Sequence, residues 1–328
     1  MEIHKVNPPA KNLPMLQVNA HLQDQLVMRV GIPHRSGTLA AHAFNQEYPV
    51  MVSANAFWSK QQQAFRFPEA TDLSETDFAM DSAGFVAMKM WKNHGRQPGL
   101  GGIFPWTYAQ YIEFATKSGA SWWSQPDCCV EPEIAKSEEE IDFRIRATAT
   151  FLEGVLRILY EWQNELAKTS SERVVANMLP PPVPVIQGWS VQHYVRSLEL
   201  MHQVWSRWQP WLAPPALIGV GSVCRRPLKH PTHGLYAILD RLKGQLPTGS
   251  RLHLFGVKGE ALSELGDQRW VASADSMAYD FGARLKAHHA GVSNSMLHRC
   301  SEMDRWMSAA MQRIESRVAN QPGMQLAA

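Results

Sequence analysis

Short apolar runs punctuate this chain, and most are followed by a stretch with helical spacing. Val50–Ala56, Phe78–Met80, Ser121–Ser124, Val183–Gln187, Ala216–Gly221, Arg251–Gly256 and Val271–Ala274 read as strands. The clearest helix begins at Ser137, which stands three residues before Glu140 in a capping-box pattern. Ile141, Ile145, Leu152, Val155, Leu156, Leu159 and Trp162 then recur at helical spacing. Glu138, Glu139 and Glu140 make a solvated first turn suited to the positive end of the helix dipole. Ser190 caps a second helix carrying Tyr194, Val195, Leu198, Met201, Val204 and Trp205. A third, from about Ser301 to Val318, sets Met303, Trp306, Met307, Ala310, Met311 and Ile314 on one face.

Strand and helix alternate with few hairpin signals, which predicts a parallel sheet. Polar residues and glycines gather where the strands end: Asp81, Asp127, Gln187, Gly221, Gly256 and Asp275. In a TIM (β/α)8 barrel such ends form one rim, and the active site lies there. That α/β barrel is the expected fold, with an open doubly wound sheet as the alternative. Seven strands are legible, and the eighth is expected after His289. Residues 1–45, with prolines at 8, 9, 14 and 33, read as an irregular N-terminal arm packed on the barrel. Residues 46–328 then form one catalytic domain closed by the C-terminal helix, with a polar tail after Ala319.

Composition narrows the class without naming a function. The 328 residues are 45% hydrophobic and 19% charged, which suffices for a sizeable core and argues against global disorder. A net charge of +2 neither identifies nor forbids a nucleic-acid binder. Cys128, Cys129, Cys224 and Cys300 form no C-x-x-C pair, and adjacent cysteines bridge poorly, so reduced thiols are expected. No apolar run is long enough to span a membrane, and Met1–Lys5 lacks the start of a secretory signal. A cytoplasmic setting follows, that of the host if the chain is phage-encoded.

Asp81 and Asp275 carry the chemistry. Each ends an apolar run and precedes a serine. Either alone serves equally as a helix cap. Two in matching contexts, on a rim shared with Asp127 and Gln187, suggest a nucleophile and a general acid/base.

Asp81-Ser82-Ala83-Gly84-Phe85 resembles the Asp-Ser-Gly-Gly-Phe motif of the tRNA-guanine transglycosylases. Ser124-Gln125-Pro126-Asp127-Cys128 resembles their base-reading Asp segment, and Ile186-Gln187-Gly188 their Val-Gln-Gly. Gly219-Val220-Gly221-Ser222-Val223 is similar to their Gly-Gly-Leu strand end, and His253-Leu254-Phe255-Gly256-Val257 to their Leu-Met-Gly-Val run. Ala274-Asp275-Ser276-Met277-Ala278-Tyr279 resembles the nucleophile motif of archaeal members. The set occurs in family order over about residues 50 to 285.

The resemblance implies a TIM barrel that exchanges guanine in a nucleic acid for a 7-deazaguanine such as preQ0. It makes Asp275 the nucleophile at C1′ and Asp81 the general acid/base. Asp127 would accept from the N1–H and amino edge of the purine. Gln187 would read the carbonyl side with backbone amides near Gly221 and Ser222, and Ser82 and Phe85 complete the base site. The tRNA enzymes also carry a Cys-x-Cys-x-x-Cys zinc site with a following His. Only Cys300 lies beyond Asp275, so no zinc or other cofactor is expected. His288, His289 and His298 then read as surface or core residues. Ala83 stands where the family has Gly, and Trp189 replaces the second Gly after Gln187, narrowing the pocket or touching a base face.

A shortened, zinc-free chain most resembles the DpdA-type enzymes, which insert 7-deazaguanines into DNA. DNA is then the expected partner, with tRNA the alternative and a helper ATPase or helicase a further partner. Arg225, Arg226 and Lys229 follow a rim strand and are expected to contact the DNA backbone. Phe85, Trp58 or Tyr279 are candidates to stack on an extruded base. Trp122 and Trp123 are assigned to the core. Two other classes stay open: a non-catalytic nucleic-acid-binding subunit on the same fold, and a glycoside hydrolase, which also uses paired carboxylates.

Overall fold

The computed structural model describes residues 23–67, 72–209 and 211–318. The tail after Ala319, and the part of the expected arm before residue 23, lie outside the described residues. The strands are β1 (Val27–Ile32), β2 (Val50–Ser53), β3 (Trp58–Ser59), β4 (Ala64–Phe65), β5 (Phe78–Asp81), β6 (Trp122–Trp123), β7 (Val185–Ile186), β8 (Leu217–Val220), β9 (Arg251–Leu254) and β10 (Val271–Ser276). The helices are α1 (Thr38–Asn45), α2 (Gly84–His94), α3 (Tyr108–Lys117), α4 (Glu138–Ala167), α5 (Glu172–Met178), α6 (Val191–Arg207), α7 (Leu235–Lys243), α8 (Leu262–Leu265), α9 (Ala278–His289) and α10 (Met296–Val318).

Eight strands form one parallel sheet in the order β6-β5-β2-β1-β10-β9-β8-β7. Its two ends meet. Ser124 bridges Val183 in parallel, the Val183 N–H donates to the Trp123 carbonyl at 2.8 Å, and the Gln125 N–H donates to the Val183 carbonyl at 3.0 Å. The Gln125 side-chain carbonyl extends this seam by accepting the Val185 N–H at 3.1 Å. The result is a TIM-barrel-like α/β fold. Between β2 and β5 the usual helix is replaced by the small antiparallel hairpin β3–β4.

The eighth strand is not after His289. It is β1, at residues 27–32, inside the segment expected to be an irregular arm. Arg29 interrupts its apolar pattern, yet is only 5% exposed. Its guanidinium donates to both carboxylate oxygens of Asp77, at 3.1 and 3.0 Å, and lies 5.7 Å from the Trp122 ring centroid. A cation so paired can occupy a strand interior. Residues 38–45 are likewise helical, as α1.

Elsewhere the pattern and the structure agree closely. The Ser137 hydroxyl accepts the Glu140 N–H, and Ile141, Ile145, Leu152, Val155, Leu156 and Leu159 are buried. Ser190 and His193 form a full capping box at the start of α6. On α10, Met303, Met307, Ala310 and Ile314 are buried, while Met311 faces outward at 40% exposure. Trp122 and Trp123 are both core residues, Trp122 against His253 and Trp123 against Tyr111 of α3.

Candidate active site

The C-terminal ends of the strands open on a cavity of about 650 Å³. Asp81, Asp127, Gln187, Gly221, Ser222, Phe85 and Asp275 all line it, so the barrel brings together residues far apart in sequence. Each comes from a strand end or the loop just beyond, except Phe85, which stands in the first turn of α2.

One wall is a chain of buried polar groups. The Ser82 hydroxyl donates to Asp127 Oδ1, and the Gln187 amide nitrogen donates to Asp127 Oδ2. The Ser222 hydroxyl donates to Gln187 Oε1 at 2.6 Å and accepts the Val130 N–H at 2.8 Å. Ser222 therefore fixes which way the Gln187 amide points, leaving its NH2 to donate. Two glycines make this packing feasible. A Cβ on Gly221 would lie 2.1 Å from Gln187 Nε2, and one on Gly84 would lie 2.6 Å from Asp127 Oδ1. Ala83 adopts the left-handed region, φ 69°, where the related motif has Gly.

The two Asp-Ser carboxylates occupy the other walls. Asp81 Oδ2 accepts from the Ser53 hydroxyl and the Ala83 N–H, both at 3.1 Å. Burial, and then the charge of Asp275, push its pKa up to about 6. Asp275 Oδ1 accepts the Gly256 N–H at 2.9 Å. His253 Nε2 lies 3.4 Å from the same oxygen. Asp127, buried and close enough to feel Asp81, is pushed up to about 7. Asp81 and Asp127 thus share the cavity with Asp275, and each of the two keeps its proton to a higher pH than an ordinary carboxyl.

Residues 53–325 match the family described as DpdA, DeoxyPurine in DNA protein A. The chain belongs to the DpdA family. It is a pentosyltransferase of the 7-deazaguanine DNA transglycosylase type, with DNA and a 7-deazaguanine base as its reaction partners. No curated protein matches it.

The basic cluster of this DpdA chain divides. Arg225 is exposed at the cavity mouth, 3.5 Å from Glu133, and Lys229 is exposed beyond it. Arg226 is 1% exposed. Its guanidinium donates to the carbonyls of Gly188, Trp189, Ser222 and His233, and to the Tyr194 hydroxyl. The expected backbone contact from Arg226 is therefore corrected: its donors are spent tying the loops after β7 and β8 together. Trp189 lines the cavity and lies over that guanidinium, 4.3 Å from ring centroid to Cζ.

Of the candidate stacking residues, only Phe85 lines the cavity. Trp58 packs on Phe65 and Trp106 beside the barrel, and Tyr279 is buried in the core. Among the described residues no group of three or more His, Cys, Asp or Glu side chains is placed to hold a metal ion. His288 and His289 are exposed at the end of α9, and His298 contacts the Ala283 carbonyl. No described helix is long and apolar enough to cross a membrane.

Two site residues escaped the sequence reading. Glu131 lines the cavity with Oε2 buried and unpartnered, and burial raises its pKa. It follows Val130, whose N–H holds Ser222. His253 is fully buried beneath Asp275. Its signal was available: a histidine inside an apolar strand beside the strand that carries Asp275 needs a polar partner.

Proposed function

We propose that the chain exchanges guanine in DNA for a 7-deazaguanine through a covalent Asp275 glycosyl ester. A carboxylate oxygen of Asp275 attacks C1′ of the target nucleotide. The C1′–N9 bond breaks, and Asp81 gives its proton to the departing guanine. The incoming base then loses its N9 proton to Asp81, N9 attacks C1′, and the ester bond returns its electron pair to Asp275.

The observation that carries this reading is the raised carboxyl of Asp81 in one cavity with Asp275 and a wall of base-reading groups. Asp81, raised to about 6, keeps a proton in about a tenth of molecules at pH 7 and regains it readily. Asp127 offers acceptors that suit the N1–H and amino edge of guanine, and Gln187 offers an NH2 that suits its carbonyl. Gln187 donates to Asp127, so a bound base would replace one buried hydrogen bond with several. Phe85 is placed at the cavity wall for stacking, and Arg225 and Lys229 for phosphate contact. Ser82 and Ser222 hold the readers in register. The chain works in the cytoplasm as a zinc-free enzyme, and duplex substrates call for a helper ATPase or helicase to open them.

The test is incorporation of labelled preQ0 into DNA and into tRNA, in parallel, by the purified protein. Label in DNA is expected. Label confined to tRNA overturns the substrate, and no label in either, even with melted DNA, overturns the catalytic reading in favour of a binding subunit.

A further inference from the structure

His253 lies inside the barrel behind Asp275, with no solvent exposure. Trp122 and Phe255 pack edge-on to its ring, at centroid distances of 4.8 and 4.5 Å. Nδ1 is 2.8 Å from the Ser273 hydroxyl. Nε2 is 3.4 Å from Asp275 Oδ1 and has no hydrogen bond to any described residue. The charged groups that face the ring are Asp275 on β10 and Arg29 on β1. Burial, reinforced by Arg29, outweighs Asp275 and keeps the pKa of His253 below the ordinary 6.5, so the ring is neutral.

A neutral imidazole has one donor and one acceptor nitrogen. Placing the lone pair of Nε2 against a carboxylate oxygen is repulsive. The carboxylate therefore selects the tautomer with hydrogen on Nε2, and the Ser273 hydroxyl turns to donate to Nδ1. Asp275 Oδ1 then faces two donors, the Gly256 N–H at 2.9 Å and the His253 Nε2–H. Oδ2 has neither.

Resting on the reading of Asp275 as nucleophile, we propose that His253 is a positioning residue that, with Gly256, binds Oδ1 of Asp275, makes Oδ2 the oxygen that bonds to C1′, and eases departure of the carboxylate in the second half-reaction. Hydrogen bonds to a carboxylate are stronger than those to the carbonyl of its ester. The two donors thus favour breaking the C1′–Oδ2 bond, when the electron pair returns to the carboxylate and is shared with Oδ1. His253 transfers no proton; Asp81 takes the one released by the incoming base.

The experiment compares wild type, His253→Phe and His253→Gln, with melting curves as a check of folding. Phe keeps the ring volume and removes the donor; Gln returns a donor near the Nε2 position. Turnover of labelled preQ0 into DNA is measured beside the fraction of enzyme trapped as the DNA adduct on denaturation. His253→Phe is expected to lower kcat about tenfold, to leave KM for the base within about twofold, and to raise the trapped fraction. His253→Gln is expected to recover much of kcat and return the trapped fraction toward wild type. Turnover and adduct falling together in His253→Phe, or neither changing, overturns the proposal. A wild type that incorporates base without any trapped adduct overturns instead the Asp275 reading on which it rests.

Discussion

Asp81 and Asp275 end two parallel strands with the same Asp-Ser dipeptide, yet their neighbours give them different surroundings, which suit the different work proposed for them. Asp81 accepts from a hydroxyl and one amide and carries the repulsion of Asp275, so burial holds its proton up to about 6. Asp275 accepts a backbone amide at Oδ1, and the buried ring of His253 lies 3.4 Å from the same oxygen. The lesson is that the dipeptide supplies only the position at the strand end. The adjoining strands assign the role: β2 gives Ser53 to Asp81, while β9 gives His253 and the loop after it gives Gly256 to Asp275.

The sharpest break of this pairing is Asp275→Ala. It should abolish the trapped DNA adduct and base incorporation together, whereas Asp81→Asn should lose turnover by about 10²–10⁴-fold with base binding retained. An adduct that survives Asp275→Ala reverses the assignment. The pH dependence of the first half-reaction should differ too. Guanine departure needs Asp81 protonated, so its single-turnover rate should fall as pH rises through about 6, and that limb should vanish in Asp81→Asn.

A smaller effect concerns stability. The carboxyl of Asp81 is raised from 3.8 to about 6 in the folded protein, so the native state holds a proton that the unfolded chain releases earlier. Its contribution is intact below about pH 4 and is lost as pH rises through about 6. Asp81→Asn removes that loss, and should raise stability at pH 8 by up to about 2 kcal/mol, with no gain at pH 4, as read by urea titration at both values. Open contact of the cavity with water keeps the figure at the low end of what the shift allows. Smallest of all, Ser53→Ala removes a donor that steadies the Asp81 carboxylate, so the limb near pH 6 should move upward by a few tenths of a unit.

Seven of the eight barrel strands were legible because their apolar runs are short and bounded by turn residues. β1 was not, because Arg29 and Gly31 break its pattern. The reason for each is local to the folded barrel: Arg29 reaches across to Asp77, and a Cβ on Gly31 would strike Met277 at 2.3 Å. Asp81, Asp127, Gln187 and Ser222 were legible as a set because each stands at a strand end, in an order shared with a family of known chemistry. Arg226 was misread because sequence cannot tell an arginine that reaches solvent from its neighbour that binds carbonyls. Its burial depends on loops after β7 and β8 meeting in space. Glu131 escaped for a related reason, since nothing local marks a side chain whose surroundings come from other strands, whereas His253 stands out as a histidine inside an apolar strand.

The barrel closes between β6 and β7 through few main-chain bonds, with the Gln125 side chain standing in for missing backbone. Asp127 follows one margin of that closure and Gln187 the other. On the proposed reading, the closure would also be the caliper of the base-reading slot, its width setting the gap across which a planar heterocycle is measured. Gln125 would then be the gauge pin, and a purine demanding a wider gap would strain the barrel at the join with least backbone to resist.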